Sequence, residues 1–179
     1  MYDPRAVANL ILDCAIERGI SCSNLKLQKL LYFVHGQWLL RKGEPLCSGN
    51  FEAWEHGPVH PLVYQSFKSF GANRITNKAC SINPVTREKK EITAPSDVEV
   101  LDVVRMVVTS LGHLSGSQLR NITHTKGSPW SVVIDASRES ANIGLQISND
   151  VIRKNFGKQI YLLGGGREDG DLNENAPYS

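Results

Sequence analysis

The chain has 179 residues, 41% of them hydrophobic, a formal net charge of +2 and a pI near 8.4. That is enough chain for a single core burying roughly two thirds of the unfolded surface, and the balanced charge lacks the strong field of a dedicated nucleic-acid or anionic-membrane binder. Cys14, Cys22, Cys47 and Cys80 are too scattered for a zinc knuckle or CxxC redox pair, no apolar run reaches the ~18 residues of a membrane span, and MYDPRAVANL lacks a signal-peptide pattern. The expectation is a cytoplasmic protein with reduced thiols and no membrane partner.

Asp3 followed by Pro4 reads as a helix start, since the carboxylate accepts orphan N–H groups and proline presets φ. The first helix should run to about Arg18, with Val7, Leu10, Ile11, Cys14 and Ala15 on one narrow face and Gly19 as its stop. After a turn at Ile20–Ser23, a second helix carries Leu27, Leu30, Leu31, Val34 and Trp38, widened by Phe33, Leu39 and Leu40, and leaves at Gly43. A helix apolar over so much of its circumference is expected at the centre of the fold.

Phe51–Glu55 reads as a brief strand, and Pro58 as the first turn of a third helix with Val59, Leu62, Val63, Phe67 and Phe70, closed by Gly71. Ala72–Pro95 reads as mobile connecting structure with a hairpin near Asn83-Pro84. Ser96-Asp97-Val98-Glu99 has the form of a capping box led by Ser96, opening a helix with Val100, Leu101, Val104, Val108 and Leu111. Ser115-Gly116-Ser117-Gln118 has the same form, Pro129-Trp130 begins a further turn, and Ser148 caps a last helix with Ile152 and Phe156. Ile160–Leu163 would anchor the end. From Gly164 the sequence GGGREDGDLNENAPYS has too little apolar surface to offset ordering entropy and is expected to be a flexible acidic tail. The predicted fold is mainly α: one multi-helix domain over residues 1–163 around a central aromatic-rich helix, with one or two short strands or a hairpin, and a tail at 164–179.

Chemical motifs are sparse. His56 and His60 have the i,i+4 spacing of a zinc helix, but Gly57-Pro58 breaks the helix between them and no glutamate stands in the HExxH position. No GxSxG, P-loop or GxGxxG occurs, and Glu52 with Glu55 gives no defined acid/base separation. A hydrolase built on Glu55, His56 and His60 is a third reading. Lys26, Lys29, Arg41 and Lys42 could line one strip of the second helix, but that helix is too apolar to lie in a major groove. No catalytic residue, metal site or cofactor is expected. Tyr32, Trp38, Trp54 and Tyr64 read mainly as core, with Trp and Tyr also favoured at interface hot spots.

The block LQKLLYFVHGQWLLRKGEPLCSGNFEAWEHGPVHPLVYQSFKSFG, strongest over 25–71, resembles the signature of the SocA-like Panacea domain, a family also met as phage-associated GepA-like proteins. The matching residues are Leu27, Gln28, Lys29, Leu30 and Tyr32, then Glu52-Ala53-Trp54, Gly57-Pro58-Val59 and Tyr64; Thr123-His124 through Pro129-Trp130 and Ile147–Phe156 resemble its later elements. The resemblance implies an antitoxin of a toxin–antitoxin pair that binds a protein toxin encoded by a neighbouring gene, in one branch handing it to a ClpXP-type protease. Candidate partner-binding residues are Tyr32, Trp54, Glu55, His56 and Tyr64, with Leu27, Gln28, Lys29, Leu30, Gly57, Pro58, Val59 and Trp130 as the structural signature. A phage-associated nucleic-acid-binding regulator is the alternative.

Overall fold

Helix α1 (Pro4–Glu17) begins where Asp3 accepts from the Arg5 amide at 2.8 Å, with Pro4 in its first turn. Its buried side is broader than the single face expected, because ten of its residues, including Asn9, are enclosed by neighbours. Helix α2 (Asn24–Lys42), capped by Ser23 and ended by left-handed Gly43, is the central element. It packs against α1 and, further on, against α3 (Pro61–Phe67), α4 (Val98–Leu111), α5 (Gly116–Thr123) and α7 (Asn149–Asn155). The computed structural model describes residues 1–139 and 145–159; the expected anchor at Ile160–Leu163 and the tail from Gly164 lie outside them. Over the described residues the fold is mainly α, as the sequence predicts.

The second half of the signature block differs from the prediction. Residues Gly57–Val59 do not open α3 but form strand β2, paired antiparallel to β1 (Phe51–Trp54) with Glu52 opposite Val59, Ala53 opposite Pro58 and Trp54 opposite Gly57. The reason is local: Gly57 at φ +93° closes a tight turn at Glu55-His56, and an edge strand tolerates Pro58, which has no N–H to offer. Helix α3 then starts at Pro61 and tightens into a 3₁₀ turn at Lys68–Phe70. Strand β5 (Gln146–Ile147), unmarked in the sequence, pairs with the other side of β1.

The connector contains the expected hairpin, β3 (Cys80–Ile82) against β4 (Lys89–Glu91), turned by Asn83, whose Oδ1 accepts from the Val85 and Thr86 amides. Its base is tied to α1: buried Asn9 donates to the carbonyls of Ala79 and Ile92 and accepts from the Ala79 amide. Helix α4 is capped by Asp97 rather than Ser96, since the Asp97 carboxylate accepts from the Glu99 and Val100 amides. The reciprocal box at Ser115 and Gln118 forms as expected. Pro129-Trp130 opens a full helix, α6 (Pro129–Glu139), longer than the turn read from the sequence.

In the core, Tyr32 meets Phe33, Phe51 and Phe156 edge-on, with ring centres 5.5–5.6 Å apart. Phe156 brings α7 directly over Gly36, where any side chain would occupy the space of its ring. Leu40, counted in the apolar stripe, is instead 41% exposed. Cys14, Cys22 and Cys47 are buried thiols, and Cys80 is exposed.

Candidate functional site

The signature residues converge on the β1–β2 turn. From α2, the Gln28 side chain accepts from the His60 amide at 2.8 Å and the Lys29 ammonium donates to the Pro58 carbonyl at 2.9 Å. These two side chains cover the backbone of an edge strand that would otherwise lie unpaired. Leu27 and Leu30, on either side of them in sequence, are fully buried. From the far side, the Trp130 indole N–H donates to the Trp54 carbonyl at 2.8 Å, and the Trp130 ring stacks on His124 with centres 3.6 Å apart. Gly57 fits because it has no Cβ: one placed there would lie 2.6 Å from Thr123 Oγ1 and 3.0 Å from Lys29 Nζ. Sequence elements a hundred residues apart thus clamp one turn.

The outer face of the turn is amphipathic. Trp54 packs edge-on against Tyr64 with ring centres 4.8 Å apart, and its indole N–H donates to Glu52 at 2.7 Å. Both rings are half-buried, while Glu55 and His56 are exposed at the tip. Beside them lies a groove of about 320 Å³ whose walls include Leu25, Gln28, Trp54, His56, Val59 and Tyr64. Four of the five candidate contact residues therefore share one surface. Tyr32 does not: it is completely buried, its hydroxyl donating to Gln159, because it projects into the aromatic core. Val59 is buried and contributes only the groove's floor.

The histidines separate clearly. His60 is buried, with Nε2 at 3.0 Å from the Ser48 carbonyl, whereas His56 is exposed, so the pair shares no metal-binding face. Among the described residues no group of three His, Cys, Asp or Glu is placed to hold a metal ion. His35 accepts the Cys47 amide at Nδ1 and meets Asn149 at Nε2, and burial pushes its pKa down to about 4.

The four basic residues that could line α2 do not form one exposed strip. Lys29 is completely buried, and desolvation, followed by the nearby Arg120 charge, lowers its pKa to about 7. Lys42 pairs with Glu99, and Arg41 reaches the Met106 sulfur. No helix among the described residues is long and apolar enough to cross a membrane. Arg120 and the stacking of His124 were not legible from the sequence, beyond the proximity of Arg120 to the Thr123-His124 motif.

The chain matches the family described as "Antitoxin SocA-like, Panacea domain" over residues 27–131. It is 40% identical over 177 residues to a protein named "Antitoxin SocA" from Caulobacter vibrioides (strain NA1000 / CB15N), an alignment covering 99% of this chain and 94% of that protein. No solved structure matches it. The matched span runs from Leu27, at the core contact of α2, to Ser131, just past the Trp130 clamp.

Proposed function

The chain belongs to the SocA-like Panacea domain family, and from that premise we propose that it is an antitoxin that neutralises a protein toxin by direct contact through the outer face of the Trp54–Gly57 turn. The observation that carries this reading is the groove bordered by the Trp54–Tyr64 pair. Aromatic side chains at the mouth of a groove, ringed by polar residues such as Glu55 and His56, have the composition of interface hot spots. The turn is braced from behind by Lys29 and Trp130, so the contact face is preorganised and binding costs little ordering entropy.

The test is co-expression with the product of the neighbouring gene. Wild-type protein should restore growth and co-purify with the toxin, and replacing Trp54 and Tyr64 together by alanine should abolish both while leaving the chain folded. Failure of the wild type to rescue growth or form a complex removes the reading. Retained rescue in the folded double variant moves the contact elsewhere. In the adaptor form of the activity, a ClpXP-type protease is the second partner, and the toxin half-life shortens only when protease and this chain are both present. The nucleic-acid alternative draws less support, because most residues of α2, the helix it needs in a groove, are buried.

A further inference from the structure

Behind the contact face lies a cluster of nitrogen groups that the proposed toxin contact does not use. Lys29 reaches it from α2 and ends in the gap beneath Gly57, beside Thr123. Arg120 on α5 and His124 just after it stand close enough that the Arg120 charge lowers the Lys29 pKa and both charges lower that of His124. Lys29 is completely buried yet meets a single neutral carbonyl, leaving an ammonium with donor capacity unused. Arg120 Nε and His124 Nε2 are also buried, with no hydrogen-bond partner among the described residues. A native fold seldom leaves two buried nitrogen groups without an acceptor beside an under-bonded ammonium.

No carboxylate among the described residues forms an ion pair with Lys29 or Arg120. Of the two acids in the neighbouring hairpin, Glu52 is held by the Trp54 indole, and Glu55 is exposed at the tip of the turn. We propose that Lys29, Arg120 and His124 form a receptor site for one carboxylate carried by an acidic peptide segment. Arg120, partly exposed as a residue although its Nε is buried, is the entry point, offering the planar fork that matches a carboxylate, and Lys29, protonated below pH 7, adds positive charge from behind. The site lies at the C-terminal end of α5, where the helix dipole opposes any anion and penalises a phosphate dianion more than a singly charged carboxylate, so the cationic groups must outweigh it.

Two sources can deliver that chemistry. One is a partner protein. The other is this chain: Gln159, at the end of the described residues, donates to the Thr123 carbonyl at 3.3 Å, and the sequence beyond it carries Glu168, Asp169, Asp171 and Glu174. The proposal concerns the site and stands independently of the toxin-binding reading.

Isothermal calorimetry of the full chain with hexaglutamate, against hexaglutamine as the neutral control, tests it. Hexaglutamate should bind at pH 6.5. Arg120→Gln should weaken binding about tenfold or more, as expected for a charge-assisted hydrogen bond, whereas neutralising Arg87, Lys89 and Lys90 on the distant hairpin should change nothing. A partner-borne ligand predicts binding by the wild-type chain, unaffected by converting Glu168, Asp169, Asp171 and Glu174 to their amides in the full chain. A ligand from this chain predicts binding that emerges only after that conversion. The site is overturned if neither protein binds hexaglutamate, if hexaglutamine binds as well, if the hairpin variant loses as much as Arg120→Gln, or if inorganic phosphate binds more tightly than the peptide.

Discussion

Lys29 Nζ donates to the Pro58 carbonyl at 2.9 Å, so an ammonium on the central helix holds the edge strand of the signature turn from inside the protein. This bond explains why one lysine sits in an otherwise apolar run. It also places a titratable group where its charge is costly.

The first prediction follows from that cost. The Lys29 pKa falls from 10.5 to about 7 on folding, so between these values the unfolded chain binds the extra proton. Stability therefore rises with pH across that window, and the penalty is fully present below pH 7. Urea unfolding from pH 6.5 to 10 should show this rise in the wild type and not in Lys29→Met, which keeps the stem and removes the charge. Identical pH profiles for the two proteins would contradict the assignment.

Gly57 is tied to its position by two independent constraints. Gly57→Ala must adopt a positive φ and press its Cβ against Thr123 and Lys29, for a combined loss of about 2–4 kcal/mol. Gly43→Ala, at φ +73° with open space around it, should lose only about 1–2 kcal/mol. Denaturation midpoints measure the difference, and equal losses would show that the Thr123–Lys29 contact gives way freely.

The cap of α4 gives a sharper discrimination. Asp97→Ala should cost about 1 kcal/mol, because it leaves the Glu99 and Val100 amides without their acceptor. Ser96→Ala should stay within about 0.5 kcal/mol of wild type. Thermal melts of the two variants decide between them.

His35 sets an acid limit. Burial lowers its pKa from 6.5 to about 4, so the unfolded chain takes up the proton first as pH falls. Stability contributed by the neutral ring is complete above pH 6.5 and is lost progressively toward pH 4. The ring's NMR titration in the folded protein should have its midpoint near 4. A midpoint near 6.5 would mean that the ring is hydrated rather than held between Cys47 and Asn149.

Much of the helical framework was legible because its signals are local. Asp3-Pro4, the box at Ser115 and Gln118, and the stop at Gly43 each involve neighbours within one turn of chain, and each forms as read. Where two local signals compete, neighbours in sequence do not settle the outcome: Ser96 and Asp97 are both competent caps, and only the path of the chain into α4 selects Asp97. Pro58 suited a helix start as well as an edge strand, and the choice fell to β1, whose pairing with Gly57–Val59 joins residues across a turn.

The sequence by itself determined a mainly helical chain, a central second helix and the family to which it belongs, because periodicity, caps and an ordered motif are properties of residues near one another in the chain. Only the tertiary structure decided that Tyr32 is core while Trp54 and Tyr64 border a groove, that Lys29 is an interior strut rather than part of a basic strip, and that it meets Thr123 beneath Gly57. Those outcomes rest on contacts between segments separated by as many as 127 residues. Whether an aromatic or a lysine is buried depends on what packs over it, and no local pattern carries that information.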